Sequence, residues 1–223
     1  MKKIALGLLS ILLVVGSINA QEGKKAIKKG SKMLSKYAQN AVSNADQLDE
    51  GLMLVEKAFE SDEVKSEAKY FNMRGEAYNA VLAGQINAKI LDPTYELTKA
   101  ELATKAMENF EKAYNMAEKG GDKKDAIKGI QATEEHLNNL GIYSNEVNDY
   151  TAAFQFWNQG IAAYKLLESM DAKSRLSEDE AARKDHYYYT VATGNIANVG
   201  SEMLSPLEEM DAEGTDKGVV YEA

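Results

Sequence analysis

The stretch Glu134-Glu135-His136-Leu137-Asn138-Asn139-Leu140-Gly141 is followed, across a polar connection, by Ala153-Phe154-Gln155-Phe156-Trp157-Asn158-Gln159-Gly160 and ends near Leu167. Its pattern describes two helices joined by a short turn. Leu137 and the Leu140-Gly141 pair mark the apolar side of the first helix, with glycine where a second helix must cross closely. Ala153, Trp157 and Gly160 then supply a small, a large and a small residue at intervals of four and three, which is one face of the second helix. Such a hairpin cannot bury its apolar faces alone, so the pattern predicts that neighbouring hairpins stack on it.

Partial copies flank this hairpin. Phe71, Gly75 and Tyr78 occupy the positions of a first helix, and Ala106, Phe110 and Ala113 those of a second. Gly75 to Ala106 is 31 residues where Gly141 to Ala153 is 12, so 19 extra residues are expected as an inserted loop or short extra helix around 84–97. Asp92-Pro93 would break a helix there, and Thr98-Lys99-Ala100-Glu101 resembles a capping box that restarts one. Upstream, Gly51, Val55 and Ala58 repeat the four-then-three spacing of a degenerate second helix. Downstream, Ser177-Glu178-Asp179-Glu180 reads as another capping box leading through Tyr187-Tyr188-Tyr189 to Gly194, with Met203, Leu207 and Met210 on the partner helix.

These residues together resemble the exported tetratricopeptide-repeat (TPR) proteins of Gram-negative bacteria. Gly160 stands where the family's second helix usually carries alanine. The resemblance implies an all-α, TPR-like helix-turn-helix solenoid of about three to four irregular repeats. It also implies a concave groove lined by first helices, protein or peptide binding through that groove, and no catalytic residues. The expected organisation is a signal peptide over 1–20, a basic helix and degenerate repeat over 21–62, a repeat with the insertion over 63–120, the best-matching repeat over 121–176, and a further repeat over 177–223. Asp216 to Ala223 reads like the opening of another first helix, which predicts a longer repeat protein; a frayed, atypical terminal repeat is the other reading.

Met1-Lys2-Lys3, the apolar run Ile4 to Val15 and small residues up to Ala20 read as a secretory signal cleaved after Ala20. The apolar run is short for a bilayer core of ~30 Å. The chain is therefore expected in the periplasm or secreted, with no integral membrane segment after signal removal. There is no cysteine, hence no disulfide and no lipid-bearing cysteine. The 26 basic and 35 acidic side chains give a net charge of −9, and −11 once Lys2 and Lys3 are removed, which disfavours nucleic acid as a partner. With only two prolines, the composition favours helix nearly throughout.

Asn72 and Asn138 lie three residues before the glycines Gly75 and Gly141, while Asn79, Asn145 and Asn198 lie four after Gly75, Gly141 and Gly194. Residues seven apart share a helix face, and in the family's geometry this face lines the groove. The asparagines, with Tyr188, are the expected partner-binding residues, because an amide offers both donor and acceptor to the backbone of an extended chain. For Asn79, Asn145 and Asn198 a competing reading is a helix end, where Asn tolerates the turn conformation. Three consecutive tyrosines fan over ~200° of a helix, so at least one ring should be exposed; Trp157 is expected in the core.

Lys24, Lys28, Lys32 and Lys36, with Lys25 and Lys29 beside them, line one side of a helix whose other side carries Ile27, Leu34, Ala38 and Ala41. That basic face suits anionic lipid or an acidic partner. The rest of the mature chain holds 18 basic and 34 acidic side chains, −16, so docking on its own acidic body or simple solvation competes. Glu134-Glu135-His136 lacks metal-ligand spacing, and no phosphate loop, HExxH, cysteine nucleophile or Gly-x-Ser-x-Gly elbow occurs. No cofactor or metal is expected. Beside the leading reading stand a small-ligand, glycan-binding accessory of the outer membrane using 84–97 and Tyr188, and an enzyme using an acid pair.

Overall fold

The computed structural model describes residues 2–212 and 214, with side chains from Gln21 onward. It is all-α: α1 (Lys2–Gln39), α2 (Asp46–Ala58), α3 (Asp62–Lys65), α4 (Ala68–Leu91), α5 (Leu102–Met116), α6 (Gly120–Glu146), α7 (Tyr150–Ser169), α8 (Arg175–Glu178), α9 (Glu180–Ala197), a 3-10 turn (Gly200–Met203) and α10 (Leu204–Ala212). No strand occurs among the described residues. The chain divides into two compact units between Ala126 and Ile127, inside α6. The side chains of the expected export signal and the whole of Asp216 to Ala223 lie outside the described residues.

In the first unit α1 packs on α2 and α4, and α4 packs on α5. Gly51, Val55 and Ala58 form the buried face of α2, as their spacing predicts. The pairing of Gly75 with Phe110 is also as expected: a Cβ on Gly75 would stand 2.6 Å from the Phe110 ring, so only glycine lets α4 and α5 approach this closely. The insertion takes a different form. The helix carries on to Leu91, where Asp92 turns extended (φ −133, ψ 101) ahead of Pro93, and the extra residues are divided between added turns of α4 and a loop. Asp92 Oδ1 accepts from Thr94 N at 2.9 Å and Thr94 Oγ1 at 2.7 Å, which shapes that loop.

Thr98 does not cap α5. Its hydroxyl accepts from Gln85 Nε2 at 2.9 Å, Gln85 Oε1 takes the Lys99 N–H at 3.1 Å, and α5 begins at Leu102 after Glu101, without a side-chain cap. The buried Gln85, 2% exposed, needs both partners and so claims the threonine. The basic face of α1 meets the acids of its own unit: Lys24 pairs with Glu63 and Glu67, and Lys29 with Glu50 at 2.8 Å, while Ile27 and Leu34 are wholly buried.

In the second unit Ile161, Tyr187, Val191 and Met210 form a buried cluster with Tyr188 and Leu207 packed against it. The three tyrosines fan as expected: Tyr187 is buried, Tyr188 half-buried and Tyr189 48% exposed. The capping box at Ser177 is displaced. Ser174 caps the one-turn α8 through Leu176 N at 3.0 Å, and Ser177 Oγ completes that box by accepting from Ser174 N at 2.9 Å, whereas α9 is capped by Asp179, whose Oδ1 accepts from Ala182 N at 3.0 Å. The Ser177 hydroxyl is already committed backward, leaving the extended Asp179 to satisfy the next free amide.

Candidate functional site

A pocket of about 440 Å³ opens within the second unit. Helix α6 contributes Asn138, Ile142, Asn145 and Glu146, spaced by four, three and one, and α9 contributes Ala182, Asp185, His186 and Tyr189 on the same rule. Trp157 of α7 and Arg175 of α8 complete it. The Gly141–Trp157 crossing positions the indole, since a Cβ on Gly141 would come within 2.4 Å of Trp157 Nε1. Trp157 is 3% exposed, and its ring lies 5.5 Å from that of Tyr189 at an interplanar angle of 32°.

Arg175 is placed by a carboxylate forty-one residues upstream. Glu134, 1% exposed, accepts from Ser174 Oγ at 2.5 Å and from the Arg175 amide at 3.2 Å, anchoring the start of α8 on α6. The Arg175 side chain then reaches two neutral acceptors through Nη2: Asn138 Oδ1 at 3.2 Å and His186 Nδ1 at 3.3 Å. Its Nε is buried without a hydrogen-bond partner, and no carboxylate among the described residues pairs with the guanidinium.

His186 holds the arrangement from below. Arginine can only donate, so Nδ1 accepts and the proton sits on Nε2, which donates to the Trp157 carbonyl at 2.7 Å. Burial is the main cause that pushes its pKa down to about 4, with the Trp157 carbonyl opposing and the Arg175 charge reinforcing the shift. The imidazole is thus neutral near pH 7. It also accounts for the glycine inside α7, because a Cβ on Gly160 would meet His186 Nε2 at 2.8 Å.

Family models, curated proteins and solved structures offer no match to this chain.

The six expected binding residues separate. Asn138 and Asn145 line the pocket together, seven residues apart on α6. Asn72 and Asn79 lie on α4 of the first unit, 4% and 8% exposed, so neither amide is offered to solvent. Asn72 Nδ2 donates to the Asp122 carbonyl at 2.8 Å, tying α4 to the start of α6, while its Oδ1 is buried without a partner. Asn198 caps α9 in the left-handed conformation (φ 54), the helix-end role. Tyr188 packs on the Tyr187 cluster, and its neighbour Tyr189 faces the pocket instead. Asn79 sits in mid-helix, away from any helix end, and the left-handed residue after α6 is Asn148 rather than Asn145.

Arg175, His186 and Glu134 were not singled out as binding residues from the sequence. The one available signal was Gly160: a glycine inside a helix announces a bulky neighbour. Among the described residues no group of three or more acidic or histidine side chains is arranged to hold a metal ion, and no helix is long and apolar enough to cross a membrane.

Proposed function

We propose that this protein is a non-catalytic, TPR-type scaffold of the cell envelope that holds another protein or an extended peptide. The observation that carries the reading is Asn138 and Asn145, two amides on one helix face, opening into a pocket with the apolar Ile142 and Tyr189. Paired amides match the backbone groups of an extended strand, and aromatic walls match its side chains. Support for the envelope comes from residues 1–20, which read as an export signal, and from the family resemblance.

The test is site-specific photocrosslinking from position 189 in the native envelope. A polypeptide should be captured there, and its yield should fall when Asn138 and Asn145 are both changed to alanine. Capture of no polypeptide, or capture indifferent to the double substitution, would refute the assignment of this groove. Thermal stabilisation by oligosaccharides without polypeptide capture would support the glycan-binding reading instead.

A further inference from the structure

The pocket contains opposite charges that do not neutralise one another. Arg175 has only neutral acceptors at Nη2 and an unpartnered Nε, while Glu146 and Asp185, both exposed on the lining, form no ion pair with it or with any other described residue. Ordinarily a cation and two carboxylates in one pocket would be expected to collapse into contact. Here the cation is tethered. Its backbone is held by Glu134, and its head is held by Asn138 and by His186, itself fixed between Arg175 and the Trp157 carbonyl. A tethered cation that leaves both carboxylates unpaired suits a ligand carrying the inverse pattern, because no internal pair has to be broken for the ligand to bind.

We infer that the pocket recognises an amphoteric segment of an extended peptide, with an acidic side chain on Arg175, a basic side chain facing Glu146 and Asp185, and an apolar residue between them against Ile142 and Tyr189. This rests on the peptide-binding reading above and specifies its ligand class. The two carboxylates make a polyanion a poor fit, and Arg175 makes a polycation a poor one. Tyr189, with its ring exposed, adds a face over which a cationic side chain can rest.

Trp157 is the only tryptophan in the chain and lines this pocket, so its emission reports occupancy without a label. The probes are heptapeptides blocked at both ends, with an alanine-glycine frame around a central lysine-leucine-glutamate, its reverse, glutamine-leucine-glutamine, lysine-leucine-lysine and glutamate-leucine-glutamate. One of the two amphoteric orders should bind roughly three- to tenfold more tightly per matched charge than the neutral peptide, and the single-sign peptides more weakly than it. Arg175→Gln should abolish the preference for glutamate and keep that for lysine; Glu146→Gln with Asp185→Asn should do the reverse. Circular dichroism checks folding, and Arg175→Lys, which keeps the charge, should retain part of the glutamate preference. Equal binding of neutral and amphoteric peptides overturns the inference. If that equal binding is still lost with Asn138→Ala and Asn145→Ala, the peptide-binding reading survives. Binding by none of the five peptides also overturns the inference, and crosslinking at position 189 then decides the wider reading separately.

Discussion

Gly160→Ala is the substitution that most directly tests how the pocket is built. An interior helix position normally gains about 1 kcal/mol on going from glycine to alanine. The structure predicts the opposite sign. The new Cβ would stand 2.8 Å from His186 Nε2 and 2.9 Å from Cε1, well inside van der Waals contact. The ring cannot swing clear without giving up its bonds to the Trp157 carbonyl and to Arg175, each worth about 0.5–1.5 kcal/mol. Overpacking of a close-packed interior adds about 1–3 kcal/mol. Set against the helix-propensity gain, the net expectation is a loss of about 1–5 kcal/mol. In a His186→Ala background the obstacle is gone, and the same substitution should stabilise by up to about 1 kcal/mol. The assay is urea unfolding of the four members of the cycle, followed by Trp157 emission for the second unit and by circular dichroism for the whole chain. The reasoning fails if Gly160→Ala changes the midpoint equally, in sign and size, with and without His186.

The remaining predictions concern acid, anchoring and crossing. His186 titrates near 4 when folded against an ordinary value of about 6.5, so its contribution is fully present above pH 6.5 and lost as the pH falls through 4. Between pH 7 and pH 5 the fold should lose about 2 kcal/mol from this group, measured as a fall in urea midpoint that His186→Gln removes. His136, half-buried and also held near 4 by burial, should leave a residual acid sensitivity in that variant. Glu134→Ala should cost about 2–4 kcal/mol by stripping the anchor from Ser174 and Arg175, and amide exchange over 174–178 should rise; protection unchanged there would count against the anchor. Gly141→Ala should cost about 1–3 kcal/mol or more through Trp157, whereas Gly121→Ala, where a Cβ meets nothing within 4 Å, should be neutral or stabilising in thermal melts.

Much of the architecture was readable because it depends on residues close in sequence. The four-then-three spacing of Gly51, Val55 and Ala58 needs only one helix face to be meaningful, and all three are buried. The Gly75–Phe110 and Gly141–Trp157 crossings were readable because a glycine and a large residue in alternate helices announce their own contact. Helix starts were read less well. A threonine or serine three residues before an acid carries the same local signal whether or not its hydroxyl is free, and Thr98 and Ser177 were both claimed by tertiary or upstream partners. Local pattern cannot register such competition.

The residues expected to bind a partner divide along the same line. Asn138 and Asn145 could be proposed from spacing, since a helix face is a local property. Spacing alone could not tell them from Asn72 and Asn79, which have the same offsets but are buried in the first unit. What sets the α6 face apart is Arg175, whose position depends on Glu134 forty-one residues earlier, and whose side chain is oriented by His186 eleven residues later. None of these three residues lies at the spacings that mark the helix pairs, so none stands out from that pattern. Yet the sequence registers them indirectly: a residue without a Cβ is required beside His186, and position 160 of α7 is glycine. An interior helix glycine is therefore where the sequence records the pocket. By the same logic, an arginine introduced into a similar helix pair without the glycine and histidine beneath it should not acquire the same charge separation, because nothing would prevent it from pairing with the nearest acid.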